Sequence, residues 1–567
     1  MKKPIIEFKQ FTFQYFTQAE PTLQDIDVTI YEGEKVLVIG PSGSGKSTFA
    51  HCINGLIPNQ YEGEAKGELW INNRQVFQDS LFDRSFETST VLQDTDGQFI
   101  GLTVAEDIAF ALENDEKPVT YMKEQVQKWA EIVDVDHYLA HRPQDLSGGQ
   151  KQRVSMAGVL INEAPILVFD EPLANLDPQA GQEAIALIDQ IHKENKTTIL
   201  IIEHRLEEVL THEVDRILLF HEGAIVANVT PNELLASATL SAYGIREPLY
   251  ISALKYAGVD LTTLDQLTPL SKVSHPLIHE KLTQWQKQLD EKIQSQDTKP
   301  LLTLREFSAG YLKNQPTVKQ ISLTVNRKER ISIVGKNGAG KSTLIKAICG
   351  FLPIQGEIML NGCSIKQASI KERADHIGYV MQNPNQMISQ KMIVDEIALG
   401  LVLRGVEENV IKEKVDRVLK ICGLYAFRNW PISALSYGQK KRVTIASILV
   451  LEPEIILLDE PTAGQDFYHY TEMMQFIDQL SEQGNTIIMV THDMHLMLEY
   501  TDRVLVIDQG QLLADTTPVD VLTDKLLIKQ ASLAETSLFT LAKQFELNDP
   551  IAFTHQFITH DRKVRKQ

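Results

Sequence analysis

No run in the 567 residues approaches the ~18 uninterrupted apolar positions that a membrane-crossing helix needs, so the chain is not expected to span a bilayer. Its first residues carry two lysines, but Glu7 and Lys9 interrupt any apolar stretch, and no secretory leader is expected. Cysteine is scarce. The four positions, Cys52, Cys349, Cys363 and Cys422, contain no Cys-x-x-Cys pair, which argues against a disulfide framework or a zinc site. They are expected to be reduced, buried small hydrophobes. Positive charge is also in deficit: 55 Lys and Arg against 75 Asp and Glu leave a net charge of −20. That balance opposes a general nucleic-acid-binding surface. With 43% hydrophobic and 23% charged residues, the remainder reads as an ordinary globular, cytoplasmic protein. It is too long for one core, and length alone suggests about three to four domains.

What is present is a repeated phosphate-binding sentence. Gly40, Pro41, Ser42, Gly43, Ser44, Gly45, Lys46, Ser47 and Thr48 recur, 295 positions later, as Gly335, Lys336, Asn337, Gly338, Ala339, Gly340, Lys341, Ser342 and Thr343. Both copies match G-x-x-x-x-G-K-[ST], follow a β-branched apolar run and precede a helix-like segment, as a phosphate loop requires. Glycines allow the backbone near the phosphates, N–H groups and a helix start face the negative charge, Lys46 or Lys341 reaches the β/γ oxygens, and Ser47 or Ser342 holds Mg²⁺.

A second signal is also doubled. Four apolar residues end in Asp170-Glu171-Pro172 and again in Asp459-Glu460-Pro461. The first carboxylate of each pair is placed to bind Mg²⁺ and the second to polarise an attacking water, help worth ~10²–10⁴ in rate. The third signal is Leu146 followed by Ser147, Gly148, Gly149 and Gln150, matched by Leu435 followed by Ser436, Tyr437, Gly438 and Gln439. Serine and free N–H groups at a helix start form a second anion-binding surface, although an ordinary N-cap would read the same way.

Register separates a duplicated domain from a copied loop. Gln93/Gln382, Leu146/Leu435 and Asp170/Asp459 share one offset of 289, six short of the loop offset. The six extra residues fall in 56–66 of the first half, flanked by Gly and Pro, and are expected to form a surface loop. Unbroken apolar runs suit a mostly parallel sheet covered on both faces. Helical stretches are expected at about 119–138 and 366–427. The boundaries follow: a first ATPase-type domain over 5–230, an α-rich linker and extension over 231–300, a second domain over 301–515, and a C-terminal extension over 516–567. The last, ending in Arg562-Lys-Val-Arg-Lys-Gln567, is expected to be solvated.

With loops, acidic strand ends and Leu-Ser segments in one order in both halves, the chain resembles the ATP-binding subunits of ABC transporters, two fused in tandem. The resemblance covers about 5–230 and 301–515. It implies an α/β fold of two P-loop NTPase domains. Each would hold a mostly parallel core sheet, an antiparallel β subdomain and an α-helical subdomain. It implies ATP and Mg²⁺, and an intrachain pseudo-dimer in which the loop of one domain is completed by the signature of the other. Site one would join Lys46, Ser47, Asp170 and Glu171 to Ser436, Gly438 and Gln439; site two would join Lys341, Ser342, Asp459 and Glu460 to Ser147, Gly149 and Gln150. Gln93 and Gln382 match the loop sensing metal, water and the membrane partner. His204 and His492 match the switch histidine, Tyr15 and Tyr311 the adenine-stacking aromatic, and Asp177 and Asp466 the coupling loop. Catalysis would rest on Glu171, His204, Glu460 and His492, and metal binding on Ser47, Gln93, Asp170, Ser342, Gln382 and Asp459.

The departures are as informative as the matches. Tyr437 replaces the first signature Gly, Gln465-Asp466 replaces Leu-Asp, and Glu203-His204-Arg205 replaces the Thr-His-Asp kept at 491–493. Both halves keep Lys, Asp, Glu and His, so two hydrolysis-competent sites of unequal rate are expected. The fusion, Gly55-Leu-Ile-Pro58, the 435–442 segment and Gln382-Asn-Pro-Asn-Gln386 are similar to the energy-coupling-factor importers of vitamins, vitamin precursors or metal ions. That resemblance implies a transmembrane coupling subunit and a small membrane substrate-binding subunit as partners, at the cytoplasmic face of the cell membrane. The acidic residues Asp94, Asp96, Glu106, Asp107, Asp395 and Glu396 either receive basic coupling helices or form a solvated face. Two other classes stay open: a soluble tandem ATPase acting on ribosomes, which usually carries a long charged helical arm, and the ATPase of an exporter.

Overall fold

The computed structural model describes residues 2–78, 80–92, 96–174, 176–289, 299–312, 315–463 and 465–565. The chain divides into two compact units. The first comprises Met1–Lys287 with Asp466–Tyr468 and Lys543–Leu547; the second comprises Gln288–Gln465, His469–Ala542 and Asn548–Gln567.

In the first unit the short runs Lys35–Ile39 and Thr198–Ile202 are buried at every position, as strands covered on both faces must be. Among the described residues they belong to a six-stranded sheet in the order 224–229, 216–221, 35–39, 198–202, 166–170, 88–91. All neighbours are parallel except the first pair, joined as a hairpin. A second, antiparallel sheet of four strands runs 23–31, 4–15, 63–71, 74–75. There Leu23–Tyr31 alternates buried and exposed residues, the pattern of a sheet with one wet face. Phe8, Phe11, Phe49, Val38, Ile202 and Phe220 join both sheets and the phosphate-loop helix in one core, with the Phe8 and Phe49 rings stacked at 4.6 Å.

The second unit repeats this plan. Its six strands run 377–380, 455–459, 486–490, 330–334, 503–508, 511–516, and its antiparallel four run 318–326, 300–309, 354–360, 363–364. The repeat extends to backbone irregularities. The long interior strand bulges after Phe8 in one unit and after Leu304 in the other. Gln10 and Glu306 take left-handed φ values of 46° and 45° at those bulges. The expected fold class is thus the observed one.

Four expectations need correction. The stretch 366–427 is not one helical region: Ile377–Val380 is a strand paired with Ile455–Asp459, and the α-helices among the described residues are Ile370–Arg373, Ile393–Val402 and Glu408–Ile421. A four-residue apolar run carries too little periodicity to separate strand from helix. The first-half insertion is not wholly a surface loop, because Ile57 is fully buried and Tyr61 stacks on His51 at 5.0 Å. Cys363 is exposed, since it sits on a two-residue edge strand, while Cys52, Cys349 and Cys422 are buried.

The C-terminal end is docked through Arg562 and Arg565, whereas Lys563 and Val564 are exposed as expected and 566–567 lie outside the described residues. Helix Pro550–Arg565 buries Phe553, Phe557 and Ile558. Arg562 donates to the carbonyls of Leu498 and Thr501, both at 2.7 Å, and to Asp502 at 3.1 Å. Arg565 pairs with Glu499 and Asp561, each at 2.8 Å. Residues 231–288 contain the helices Pro231–Ala236, Thr239–Ala242, Leu249–Tyr256 and Ile278–Gln288. Leu249 N donates to Glu207 at 2.9 Å and the Thr268 hydroxyl to the Leu210 carbonyl at 2.8 Å. Each unit therefore has an accessory segment gripping the helix that follows its switch-position histidine. Among the described residues no helix is long and apolar enough to cross a membrane.

Candidate functional site

Each phosphate loop connects a buried strand to a helix beginning at its lysine, Lys46–Asn54 and Lys341–Ile348. Gly40 and Gly335 adopt φ values of 153° and 144° where a side chain has no room. A Cβ there would lie 2.3 Å from the Phe220 carbonyl oxygen and 1.9 Å from that of Ile507. Lys46 donates to the carbonyls of Gly40 and Pro41, both at 2.8 Å. Lys341 does the same to Gly335 at 2.7 Å and Lys336 at 2.8 Å. Burial pushes the Lys46 ammonium down to about 8, opposed by the Glu171 and Asp170 carboxylates.

The acidic pair stands at the end of the next strand but one from the phosphate-loop strand in both units. Burial, reinforced by Glu171, pushes Asp170 up to about 6. Burial pushes Glu460 up to about 8 although Lys341 opposes it. Glu171 and Glu460 both adopt left-handed φ, 49° and 46°. A non-glycine residue is seldom held so at an ordinary strand end; such strain is found where geometry serves a site. His204 Nε2 lies 3.2 Å from Glu171 Oε1, and His492 Nε2 lies 3.3 Å from Glu460 Oε1. Each unit thus brings together loop lysine, acidic pair and histidine, and the left-handed glutamate aims its carboxylate at the imidazole.

The two signature serines are N-caps with full capping boxes. Ser147 Oγ accepts from Gln150 N at 3.4 Å while Ser147 N donates to the Gln150 side chain at 2.9 Å; Ser436 and Gln439 do likewise at 3.3 and 3.0 Å. Gly148–Leu160 and Tyr437–Leu449 are the helices they start. A cavity of about 290 Å³ opens beside Ser436, Gly438 and Gln439, lined further by Phe427, Arg442 and Glu472. Asp177 caps helix Pro178–Asn195, accepting from Ala180 N at 2.9 Å, and Asp466 is buried.

Other expected positions differ between the units. Tyr15 is half-buried, its hydroxyl 3.0 Å from Thr48 Oγ1, whereas Tyr311 is 59% exposed. Gln382 is exposed; Gln93, together with Asp94, lies outside the described residues. Asp395 is exposed, but three of the acidic residues considered for partner docking hold their own loops. Asp107 accepts from Ile100 N and Gly101 N, Glu106 from Leu102 N and Thr103 N, and buried Glu396 from Ser389 N and Gln390 N. The Thr103-x-x-Glu106 spacing is the capping-box signal that could have revealed one of these roles.

Sequence reasoning missed several supporting residues. Buried Glu203 accepts from Leu173 N, His204 N and Arg205 N at 3.0, 2.6 and 3.1 Å, fixing the backbone on both sides of His204. In the second unit Thr491 and Asp493 do this work; Asp493 caps the helix Met494–Tyr500. Tyr379 donates to Asp459 Oδ2 at 3.1 Å. Buried Lys441 donates to the carbonyls of Gln382 at 2.6 Å, Met381 at 3.2 Å and Glu460 at 3.4 Å.

The donor set suits a nucleotide-bound magnesium ion better than a protein-only metal site. Among the described residues no three His, Cys, Asp or Glu side chains gather to hold an ion. One carboxylate plus one hydroxyl beside a phosphate loop is the pattern for Mg²⁺ that keeps its water and phosphate oxygens. Asp170 is raised first by burial and then by the neighbouring Glu171 carboxylate, and a divalent cation beside it would favour its charged form.

A family model described as ABC transporter matches residues 23–174 and 318–463. An Enterococcus faecalis protein described as a candidate ABC transporter ATP-binding protein is 62% identical over 567 residues, covering all of both chains. The chain belongs to the ABC transporter ATP-binding protein family. A Staphylococcus aureus relative with the same description is 58% identical over 573 residues, again covering both chains fully. In this ABC ATPase a second model, described as ATP-binding cassette cobalt transporter, matches residues 237–308. A solved structure of cbiO1 from Clostridium perfringens, described as part of the ABC transporter complex cbiONQ, is 31% identical with a TM-score of 0.39. It covers 44% of this chain and 99% of its own. Two cassettes of this family in one chain make it an enzyme that hydrolyses ATP in the service of transport.

Proposed function

We propose that this chain is the energy-coupling subunit of an importer for a vitamin, a vitamin precursor or a metal ion, held at the cytoplasmic face of the cell membrane by a transmembrane coupling subunit. The observation that carries the reading is the match of residues 237–308, outside the segments matched by the general ABC transporter model, to an ATP-binding cassette cobalt transporter description. The matches within the two cassettes are common to importers and exporters and do not choose between them.

The site roles follow from chemistry. Lys46 and Lys341, with the loop N–H groups, hold the β- and γ-phosphates. Tyr15 and Tyr311 stack on the base, and Ser147, Gly149, Gln150, Ser436, Gly438 and Gln439 present the signature surface to phosphate. Ser47 and Asp170, and in the second half Ser342 and Asp459, would hold Mg²⁺, with Gln93 and Gln382 beside them; when bound it screens phosphate charge. Glu171 and Glu460 take the proton of the attacking water. His204 and His492 orient those carboxylates and sense the γ-phosphate. ATP binding favours a closed arrangement and hydrolysis an open one, and the membrane partner follows that shift.

The deciding experiment is purification from membranes through a tag on this chain, with identification of what comes along. A hydrophobic coupling protein and a small membrane binding protein are expected, and uptake of their substrate should stop in a Glu171→Gln/Glu460→Gln double variant. Recovery with ribosomes, or with a partner that moves substrate outward, refutes the importer reading.

A further inference from the structure

The departure at Tyr437 has a partner one helical turn away. Tyr437 and Lys441 lie four residues apart on the helix Tyr437–Leu449, so their side chains share a face. Both reach the same acceptor: the Tyr437 hydroxyl donates to the Gln382 carbonyl at 3.3 Å and Lys441 Nζ to that carbonyl at 2.6 Å. The ammonium also donates to the Met381 carbonyl at 3.2 Å and the Glu460 carbonyl at 3.4 Å. Lys441 is 2% exposed, and Tyr437 is 43% exposed, closing the outer side of the contact. The three carbonyls belong to the start of the glutamine loop and to the acidic strand end. One lysine therefore ties together three pieces that sequence alone places far apart.

The first half cannot build this arrangement. Gly148 and Gln152 occupy the equivalent positions at the 289-residue offset. Glycine has no side chain to extend, and glutamine offers two amide donors without charge, on a shorter stem.

We propose that Tyr437 and Lys441 form a latch joining the Gln382 loop to the signature helix and to the Glu460 backbone, so that loop and helix of the second half move as one piece. They are positioning residues, acting through Gln382 and Glu460. Hydrogen bonds from an ammonium are the stronger kind, so Lys441 carries most of the hold and Tyr437 shields it from water. A signal arriving at the glutamine loop of the second half is passed to its signature without slack. In the first half, loop and signature respond separately. This inference rests on the proposed roles of Gln382 and Glu460 only for its catalytic consequence, not for the latch itself.

The test is amide hydrogen exchange on the full-length chain, comparing wild type with Tyr437→Phe, Lys441→Gln and the double variant. Peptides covering 381–392 should exchange on the order of tenfold faster in the double variant. Peptides over 96–103 of the first half should not change. The reverse pair, Gly148→Tyr with Gln152→Lys, should slow exchange over 96–103. Tyr437→Phe removes a single oxygen atom, so its smaller acceleration serves as the arm least exposed to misfolding. Unchanged exchange over 381–392 in variants that melt like wild type overturns the latch. Turnover is then read in a Glu171→Gln background, where Lys441→Gln should lower kcat with KM for ATP held within about twofold. Equal loss in KM would mark Lys441 as a binding residue and overturn its positioning role. A Glu171→Gln chain without any turnover would count against the proposed catalytic roles, while the exchange result still judges the latch.

Discussion

Replacing Arg562 with methionine should unfasten the C-terminal helix from the second unit. The side chain is 28% exposed and makes three hydrogen bonds, two of them to carbonyls at the end of the helix that follows His492. Helix ends leave such carbonyls without partners unless a cap supplies them. Bonds to charged groups contribute about 1.5–3 kcal/mol each, and methionine recovers the cost of taking the guanidinium out of water, so a net loss of about 2–4 kcal/mol is expected. For a domain of this size that corresponds to a fall of about 5–15 °C in the melting step of the second unit. Differential scanning calorimetry should show that step moving while the step of the first unit stays. Lys563→Met, at an exposed neighbour, should shift neither by more than about 0.5 kcal/mol. A second-unit midpoint within about 2 °C of wild type in Arg562→Met would refute the docking argument.

Three further outcomes follow. Burial holds His51 below its ordinary 6.5, so the fold favours its neutral form and the unfolded chain takes up the proton first. The first unit should lose stability as pH falls through about 6.5, by no more than about 1.4 kcal/mol per pH unit, and His51→Gln should flatten that slope in melts at pH 7.5 and 5.5. Gly335→Ala drives a Cβ to 1.9 Å from the Ile507 carbonyl, and should abolish nucleotide photolabelling of the second loop while leaving the first labelled. Lys46→Met and Lys341→Met should each weaken labelling of their own loop on the order of 10²-fold, measured by peptide mapping; equal labelling of both loops would refute the assignment.

Those parts of the site that depend on short, local spacing were legible before the fold was known. The phosphate loops, acidic strand ends and signature caps each occupy fewer than ten consecutive residues, and their geometry follows from glycine freedom and helix starts. The parts that depend on distant partners were not. Arg562 reads as a solvated tail charge until Asp502, 60 residues away, is placed beside it. Lys441 reads as one of several basic residues until Gln382 and Glu460 present their carbonyls. Glu203 looks like a departure from a motif, and only the fold reveals the three backbone N–H groups it holds. Ile377–Val380 failed for a different reason: at four residues, its identity as a strand is decided by Ile455–Asp459, not by its own pattern.

The unlike signatures, Gly148 in one half and Tyr437 in the other, have a consequence for assembly. Two separate subunits with these sequences would have to find each other, and mass action would also produce pairs of like with like. A polypeptide that contains both fixes the ratio at one to one at any concentration, because the second half is supplied by synthesis. Every assembly built on this chain therefore contains the two kinds of half in equal number, whatever the dilution.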